Sequence, residues 1–322
     1  MRAVQITRLE GPQAVEYREL DDPVPGPGEV LIEVHAAGVT FPDVLLTRGE
    51  YQLKPELPFI PGYEVAGVVR VASADAGFEP GDRVAAIPVF GGYAELLSVD
   101  ARLVFPLPDH VSFVAGAGLS LNYLTVDYAF VRRGGLLPGE TVLIHGAAGG
   151  VGTAGIQVAH AMDARVIAVV STPEKAEIAR KAGADEVVAV DGFRDSVATL
   201  TGGLGVDMVL DPVGGDRFTD SLRCLRSEGR LLVLGFTGGA IPTVKVNRLL
   251  NRDIDVRGSA FGRVWWLEPA YLRSQWDRLL PHIESGAIET VIGSTYPLRD
   301  AAQALRELDE RRAIGKIVLE VR

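Results

Sequence analysis

The residues of this 322-residue chain best suited to chemistry are small ones. His145-Gly146-Ala147-Ala148-Gly149-Gly150-Val151-Gly152 follows Thr141-Val142-Leu143-Ile144, a β-branched apolar run of the kind that fills a buried strand. From Ile156 to Met162 apolar residues then recur at helical spacing. A strand, a glycine turn and a helix in that order build a site for a phosphate diester. Small residues let the backbone come close, and the N–H groups of the helix start face the anion. A second expected strand, 165–170, ends roughly 20 residues past the glycines, where a fold that takes NAD places Asp or Glu on the ribose hydroxyls. Ser171-Thr172-Pro173-Glu174-Lys175 stands there instead. A carboxylate would repel a 2′-phosphate, whereas two hydroxyls and an ammonium would bind one, so the pattern points to NADPH. The same residues have a second reading, in which Ser171 and Thr172 cap the next helix, Glu174 answers its dipole and Lys175 is solvated.

The elements that must position these groups follow from periodicity. Between Leu119 and Gly258, strands are expected at 142–145, 165–170, 186–190, 206–211, 230–234 and 254–257. Helical segments begin between them near Val151, Pro173, Phe193 and Asp216. Strands separated by helices imply a doubly wound parallel sheet covered on both faces, with the dinucleotide across its carboxyl ends where the strand order switches. The first 118 residues read differently. Short alternating runs such as Glu29-Val30-Leu31-Ile32-Glu33-Val34 are broken by Pro-Gly signals at Pro25–Gly28, Pro61-Gly62 and Pro80-Gly81, which suggests an antiparallel β-rich domain. The tail resumes that character, with strands expected at 288–298 and 316–321 around a helix at 300–311.

Composition narrows the function classes. A net charge of −10 and no basic cluster interleaved with aromatics argue against nucleic acid and membrane surfaces as partners. No apolar run reaches the length of a membrane span, and Met1 leads directly into a strand-like segment rather than a signal peptide. The single cysteine, Cys224, falls in an expected helix at 218–225 and fits a reducing cytoplasm. His35, His110, His145, His160 and His282 show no metal-ligand spacing.

Together these features resemble the medium-chain dehydrogenase/reductase superfamily over nearly the whole chain. The marks are Pro25-Gly26-Pro27-Gly28-Glu29-Val30-Leu31, Gly38-Val39-Thr40-Phe41-Pro42-Asp43, Pro61-Gly62-Tyr63-Glu64 followed by Gly67, Gly81-Asp82-Arg83-Val84, Gly92-Tyr93-Ala94-Glu95 and the 147–152 loop. Ala147, in place of the first fingerprint glycine, is similar to the zinc-free quinone oxidoreductase branch. The resemblance implies a GroES-like β-rich catalytic domain at 1–118 and 259–322 around a Rossmann domain at 119–258. Thr40 and Tyr63 stand where the zinc enzymes of the superfamily carry Cys and His, and one cysteine cannot build a four-cysteine zinc lobe.

Without a Lewis acid, alcohol oxidation is hard, because nothing steadies the alkoxide. Reducing a conjugated acceptor leaves a delocalised anion that needs only a hydrogen-bond donor and a proton. The resemblance offers Tyr51 as that donor, with Thr40 beside it, although the branch usually carries Asn at the place of Thr40. Tyr51 could equally be a loop residue without chemistry. Tyr63 is expected to be structural, and Asp43 and Glu64 to fix loops. The resemblance further implies cofactor contacts from Asn122 and Thr125 at the nicotinamide end and from Gly149, Gly150, Val151 and Gly152 at the pyrophosphate. Gly235 and Phe236 are expected beside the nicotinamide ribose, Ala260, Phe261 and Gly262 at the carboxamide, and Lys316 near the phosphates. Val190 departs from a tyrosine that stacks by the adenosine phosphate. Trp265, Trp266 and Tyr271 would wall the acceptor pocket or pack a seam, and the apolar edge at 254–258 implies a homodimer. The expected activity is a zinc-independent NADPH-dependent reduction of quinones or α,β-unsaturated carbonyls. A 2-enoyl thioester reductase and a non-catalytic NADPH-binding protein stay open as alternatives.

Overall fold

Apolar runs that alternate with amphipathic helices have one good solution, a parallel sheet buried on both faces. The computed structural model describes residues 1–322, except the side chains of Trp265, Trp266 and Leu267. The chain divides into two units: Met1–Leu121 with Glu268–Glu284 and Glu289–Arg322, and Asn122–Leu267 with Ser285–Ile288. The first divide falls inside helix Ser120–Asp127, where no change of composition marks it.

The second unit holds a six-stranded sheet, all parallel, in the spatial order Glu186–Ala189, Arg165–Val170, Thr141–His145, Val206–Asp211, Leu225–Val233, Asp255–Gly258. Chain order runs outward from Thr141–His145 to one edge, then returns to Val206–Asp211 and proceeds to the other. The switch point therefore lies between those two strands. Val206–Asp211 is buried along its whole length, as a central strand covered on both faces must be. The sequence reading misses a π-helical turn over Tyr128–Gly134. Its carbonyl end is met by Arg230, which donates through Nε to the Gly134 oxygen at 2.9 Å and through Nη2 to that of Gly135 at 3.1 Å. Glu140 neutralises the same buried guanidinium, 2.7 Å away.

The first unit carries a sheet in the order Ile292–Pro297, Lys316–Glu320, Glu29–Val39, Val65–Ala72, Arg83–Ala86, Val104–Pro106, with Leu96–Asp100 also paired to Glu29–Val39. Helix Pro269–Glu284, sixteen residues long, has no counterpart in the sequence reading. It packs by Trp276, whose indole stacks on Phe105 at 4.9 Å and donates to the Pro106 oxygen. Among the described residues no helix is long and apolar enough to cross a membrane.

One buried carboxylate ties the loops of this unit together. Thr40 precedes helix Phe41–Thr47, and Asp43, in the first turn, reaches back so that its Oδ2 accepts from the Thr40 N–H at 2.9 Å. The same oxygen accepts from the Thr40 hydroxyl at 2.7 Å and the Tyr93 hydroxyl at 3.0 Å. Oδ1 accepts from the Gly62 N–H at 3.0 Å. Burial pushes the Asp43 carboxyl up from 3.8 to about 6 against the pull of these bonds. Protons therefore bind the folded form more tightly than the unfolded one between those values. Stability linked to this group is fullest below pH 4 and is lost as pH rises through about 6. Relative to Asp43→Asn, which does not titrate, the wild-type chain should lose about 2 kcal/mol of unfolding free energy between pH 4 and 7, most of what the span from 3.8 to about 6 gives at roughly 1.4 kcal/mol per pH unit. Urea unfolding of both chains at several pH values measures the difference, and a gap that stays constant or widens with pH refutes the linkage.

Candidate active site

Around the switch point the chain is built for close backbone contact. A Cβ on Gly152 would stand 2.2 Å from the Gly146 oxygen and 2.5 Å from Cα of Ala147, so only glycine lets helix Gly150–Ala161 cross the loop here. Gly149 precedes the helix and supplies no side-chain cap, and the first turn holds no acid. The leading N–H groups and the positive end of the dipole are thus left for an anion from outside the helix. A Cβ on Gly150 would lie 2.5 Å from Nδ2 of Asn122, which places that buried amide directly on the helix start. Thr125, half-buried, follows Asn122 by one turn, and the helix carrying both is pinned by the Tyr123 hydroxyl donating to Oε1 of Gln157 at 2.7 Å. Asn122, Thr125, Gly149, Gly150, Val151 and Gly152 therefore gather in one unit, and their shape and donors fit a dinucleotide pyrophosphate.

At the end of strand Arg165–Val170, Ser171 and Thr172 are exposed and Lys175 is half-buried. Thr172 caps helix Pro173–Lys181, its oxygen accepting from the Lys175 N–H at 3.3 Å. Its hydroxyl also helps hold the Glu174 carboxyl below the usual range, after the backbone N–H of Glu174 itself. Thr172 thus serves the helix, as the second sequence reading expects. At the neighbouring strand ends, Oδ1 of Asp211 accepts from the N–H groups of Val213 and Gly214 at 2.9 and 2.8 Å. The segment holding Gly235 and Phe236 is zipped alongside, with Leu234 bonded to the Asp211 oxygen and Thr237 to that of Pro212. Gly214 abuts the Phe236 ring, which is 37% exposed. Phe261 is buried with its ring 5.8 Å from Tyr128, while Ala260 and Gly262 are exposed, so backbone is what this segment offers a ligand. His145, just before the loop, is held neutral: burial drives its pKa down to about 3, and Nε2 lies 2.8 Å from the Ser221 hydroxyl.

In the first unit two expectations meet prior commitments. Lys316, expected near the phosphates, is 3% exposed with its ammonium on the buried carboxylate of Glu64. The other Glu64 oxygen accepts from the Leu121 N–H at 2.9 Å. A buried ammonium needs a counter-charge, and Glu64 is the one it has. Thr40 gives its single hydroxyl proton to Asp43 and so has none for an oxyanion. Tyr51 is different. Its ring lies 5.9 Å from Tyr63, edge-on, and burial, followed by the charge of Asp43, raises its pKa, so the phenol keeps its proton. Tyr63 is buried, in line with its expected structural role. Trp265 and Trp266 lie outside the described residues, and the ring of Tyr271 faces the Arg278 guanidinium at 5.7 Å. Among the described residues no three His, Cys, Asp or Glu side chains group as a metal site. Two positions absent from the sequence reading hold this arrangement in place, Asp211 and Gln157. A carboxylate closing a strand just before Pro-Val-Gly-Gly is the signal that could have found the first.

Two family models match the chain: "Alcohol dehydrogenase GroES-like domain" over residues 26–109 and "Zinc-binding dehydrogenase" over residues 150–285. The chain is 37% identical over 325 residues to quinone oxidoreductase-like protein 2 of Rattus norvegicus, covering 100% of this chain and 92% of the rat protein. A probable oxidoreductase from Mycobacterium abscessus superposes with a TM-score of 0.91 at 43% identity, covering 100% of this chain and 99% of that one. Escherichia coli quinone oxidoreductase, solved in complex with NADPH, superposes with a TM-score of 0.91 at 30% identity over 100% of both chains. The chain belongs to the medium-chain dehydrogenase/reductase superfamily, in its quinone oxidoreductase branch.

Proposed function

We propose that this chain is an NADPH-dependent oxidoreductase that reduces quinones or α,β-unsaturated carbonyls without zinc. The observation that carries the reading is the uncapped, acid-free start of helix Gly150–Ala161 behind the Gly146–Gly152 crossing, together with Ser171 where a carboxylate would select NAD. The NADPH complex of the Escherichia coli relative supports the same cofactor. The Gly149–Gly152 backbone would hold the pyrophosphate, Asn122 and Thr125 the nicotinamide end, Ser171 and Lys175 the 2′-phosphate. When bound, NADPH supplies a hydride and leaves as NADP⁺; with one proton taken up, a quinone becomes a hydroquinone. Tyr51 donates a hydrogen bond to the oxygen on which charge builds, then its proton, which solvent replaces. Thr40 contributes through Asp43 rather than by touching the acceptor. Residue types carry the zinc-free part of the proposal, since Thr40 and Tyr63 fill the places of a thiolate and an imidazole.

Strand Asp255–Gly258 closes one edge of the six-stranded sheet, with Leu250 beside it 75% exposed. We propose that two copies pair along this edge, and that the protein works in the cytoplasm, where its one buried thiol, Cys224, stays reduced.

Four measurements test the reading. NADPH and NADH oxidation should be followed with ortho-quinones, para-quinones, simple enones and an enoyl-CoA. Turnover of quinones or enones with NADPH preferred is expected; turnover of the enoyl-CoA alone makes the protein a thioester reductase, and bound NADPH with every acceptor inert makes it non-catalytic. Ser171→Asp should lower kcat/KM for NADPH by about tenfold or more and raise that for NADH, as like charges meet at the 2′-phosphate. Tyr51→Phe should lower kcat by about 100-fold with the NADPH Kd unchanged, and equal rates would remove the phenol from the mechanism. Light scattering at micromolar concentration should give twice the chain mass, and a monomer would dismiss the edge pairing.

A further inference from the structure

Around Tyr51 the first unit gathers rings that the proposed mechanism does not use. Tyr63 and Phe90 stand 5.8 Å apart, and Phe90 and Phe59 5.7 Å apart at an interplanar angle of 62°. Tyr63 is buried at the centre, while Tyr51, Phe59 and Phe90 are half-exposed around it. The loops that carry them are stitched by backbone bonds. Ile6 and Phe59 exchange N–H donors at 2.8 and 3.2 Å, Gly91 donates to the Ile60 oxygen at 2.9 Å, and Tyr93 to that of Pro61 at 3.0 Å. Asp43 binds the Gly62 N–H and the Tyr93 hydroxyl from below, which fixes both loops to the helix behind Thr40. The rings therefore form an apolar surface beside Tyr51, whose phenol keeps its proton. Half-exposed aromatic rings held this firmly present π-faces at small entropic cost, and flat partners gain most from them.

We infer that Phe90 and Phe59 select the acceptor by shape, forming with Tyr51 a wall that favours the face of a fused-ring quinone over an aliphatic enone. The inference rests on the reading of Tyr51 as the hydrogen-bond donor to the acceptor. Wild type, Phe90→Leu, Phe90→Tyr and Phe59→Leu should be compared with 9,10-phenanthrenequinone and methyl vinyl ketone at fixed NADPH. In Phe90→Leu the ratio of kcat/KM for the quinone over that for the enone should fall about three- to tenfold, carried mainly by KM. Phe59→Leu should shift the ratio the same way by less, and Phe90→Tyr, which keeps the ring, should restore it. NADPH affinity, read by fluorescence titration, reports separately on the nucleotide unit. A uniform loss on both acceptors, or an unchanged ratio in both leucine variants, would show that the rings only pack the loops. Wild-type turnover with the ratio unmoved overturns the wall alone, whereas wild type inert on all quinones overturns the reductase reading and the wall with it.

Discussion

Helix Gly150–Ala161 passes so close to the strand end before it that a Cβ on Gly152 would press within 2.2 Å of the Gly146 oxygen. That contact decides more than one glycine. The helix must begin where the loop allows it to pass, so its free N–H groups open at the switch point and nowhere else. Gly155, one turn on, seats the same helix against Ile144 and Leu210, the last apolar residues of the two central strands. Asn122 then rests on Gly150, and the Tyr123–Gln157 bond holds the neighbouring helix at the distance this requires. A larger residue at the crossing would have to move backbone, not a flexible side chain. Under the proposed reading, the pyrophosphate contacts of Gly149–Gly152 depend on that separation.

Buried charge follows a similar economy in both units. Asp43, Glu64 with Lys316, and Arg230 with Glu140 are each withdrawn from water, and each is answered by several donors or acceptors. Breaking such a set leaves an uncompensated charge, which costs far more than a surface pair gains. The effect is to fasten loops that have no regular structure of their own. Glu64 joins strand Lys316–Glu320 to the start of helix Ser120–Asp127, and Asp43 joins three loops around one helix end.

These commitments explain where the amino-acid sequence could be read and where it could not. The parallel sheet was legible because strands 165–170 and 206–211 are apolar runs buried on both faces, bounded by glycine and helix starts. The nucleotide loop was legible because its chemistry needs only small residues and backbone. Thr40 and Lys316 were not, since residue type tells what a side chain can do and not which neighbour already holds it. Thr40 spends its proton on Asp43 three residues away, and Lys316 meets Glu64 across 252 positions of chain. Helix Pro269–Glu284 was missed for another reason. Its buried stripe, Leu272, Trp276, Leu279 and Ile283, keeps helical spacing, but Pro281 stands inside it and breaks the pattern that local propensity follows.

Asp43 also bears on the two hydroxyls that sequence offered for chemistry. At neutral pH it lies above its value of about 6 and is ionised. In that state it accepts the Thr40 proton and adds to the burial that keeps the Tyr51 phenol protonated. One carboxylate thus removes one donor and preserves the other. A phenol so weakened as an acid would be a poor replacement for zinc in alcohol oxidation, where a localised alkoxide must be steadied before hydride leaves. It suits an acceptor whose charge spreads over a conjugated ring, because a hydrogen bond is enough there and the proton can follow later. The same electrostatics that silences Thr40 therefore favours, under the proposed reading, reduction of conjugated acceptors over oxidation of alcohols.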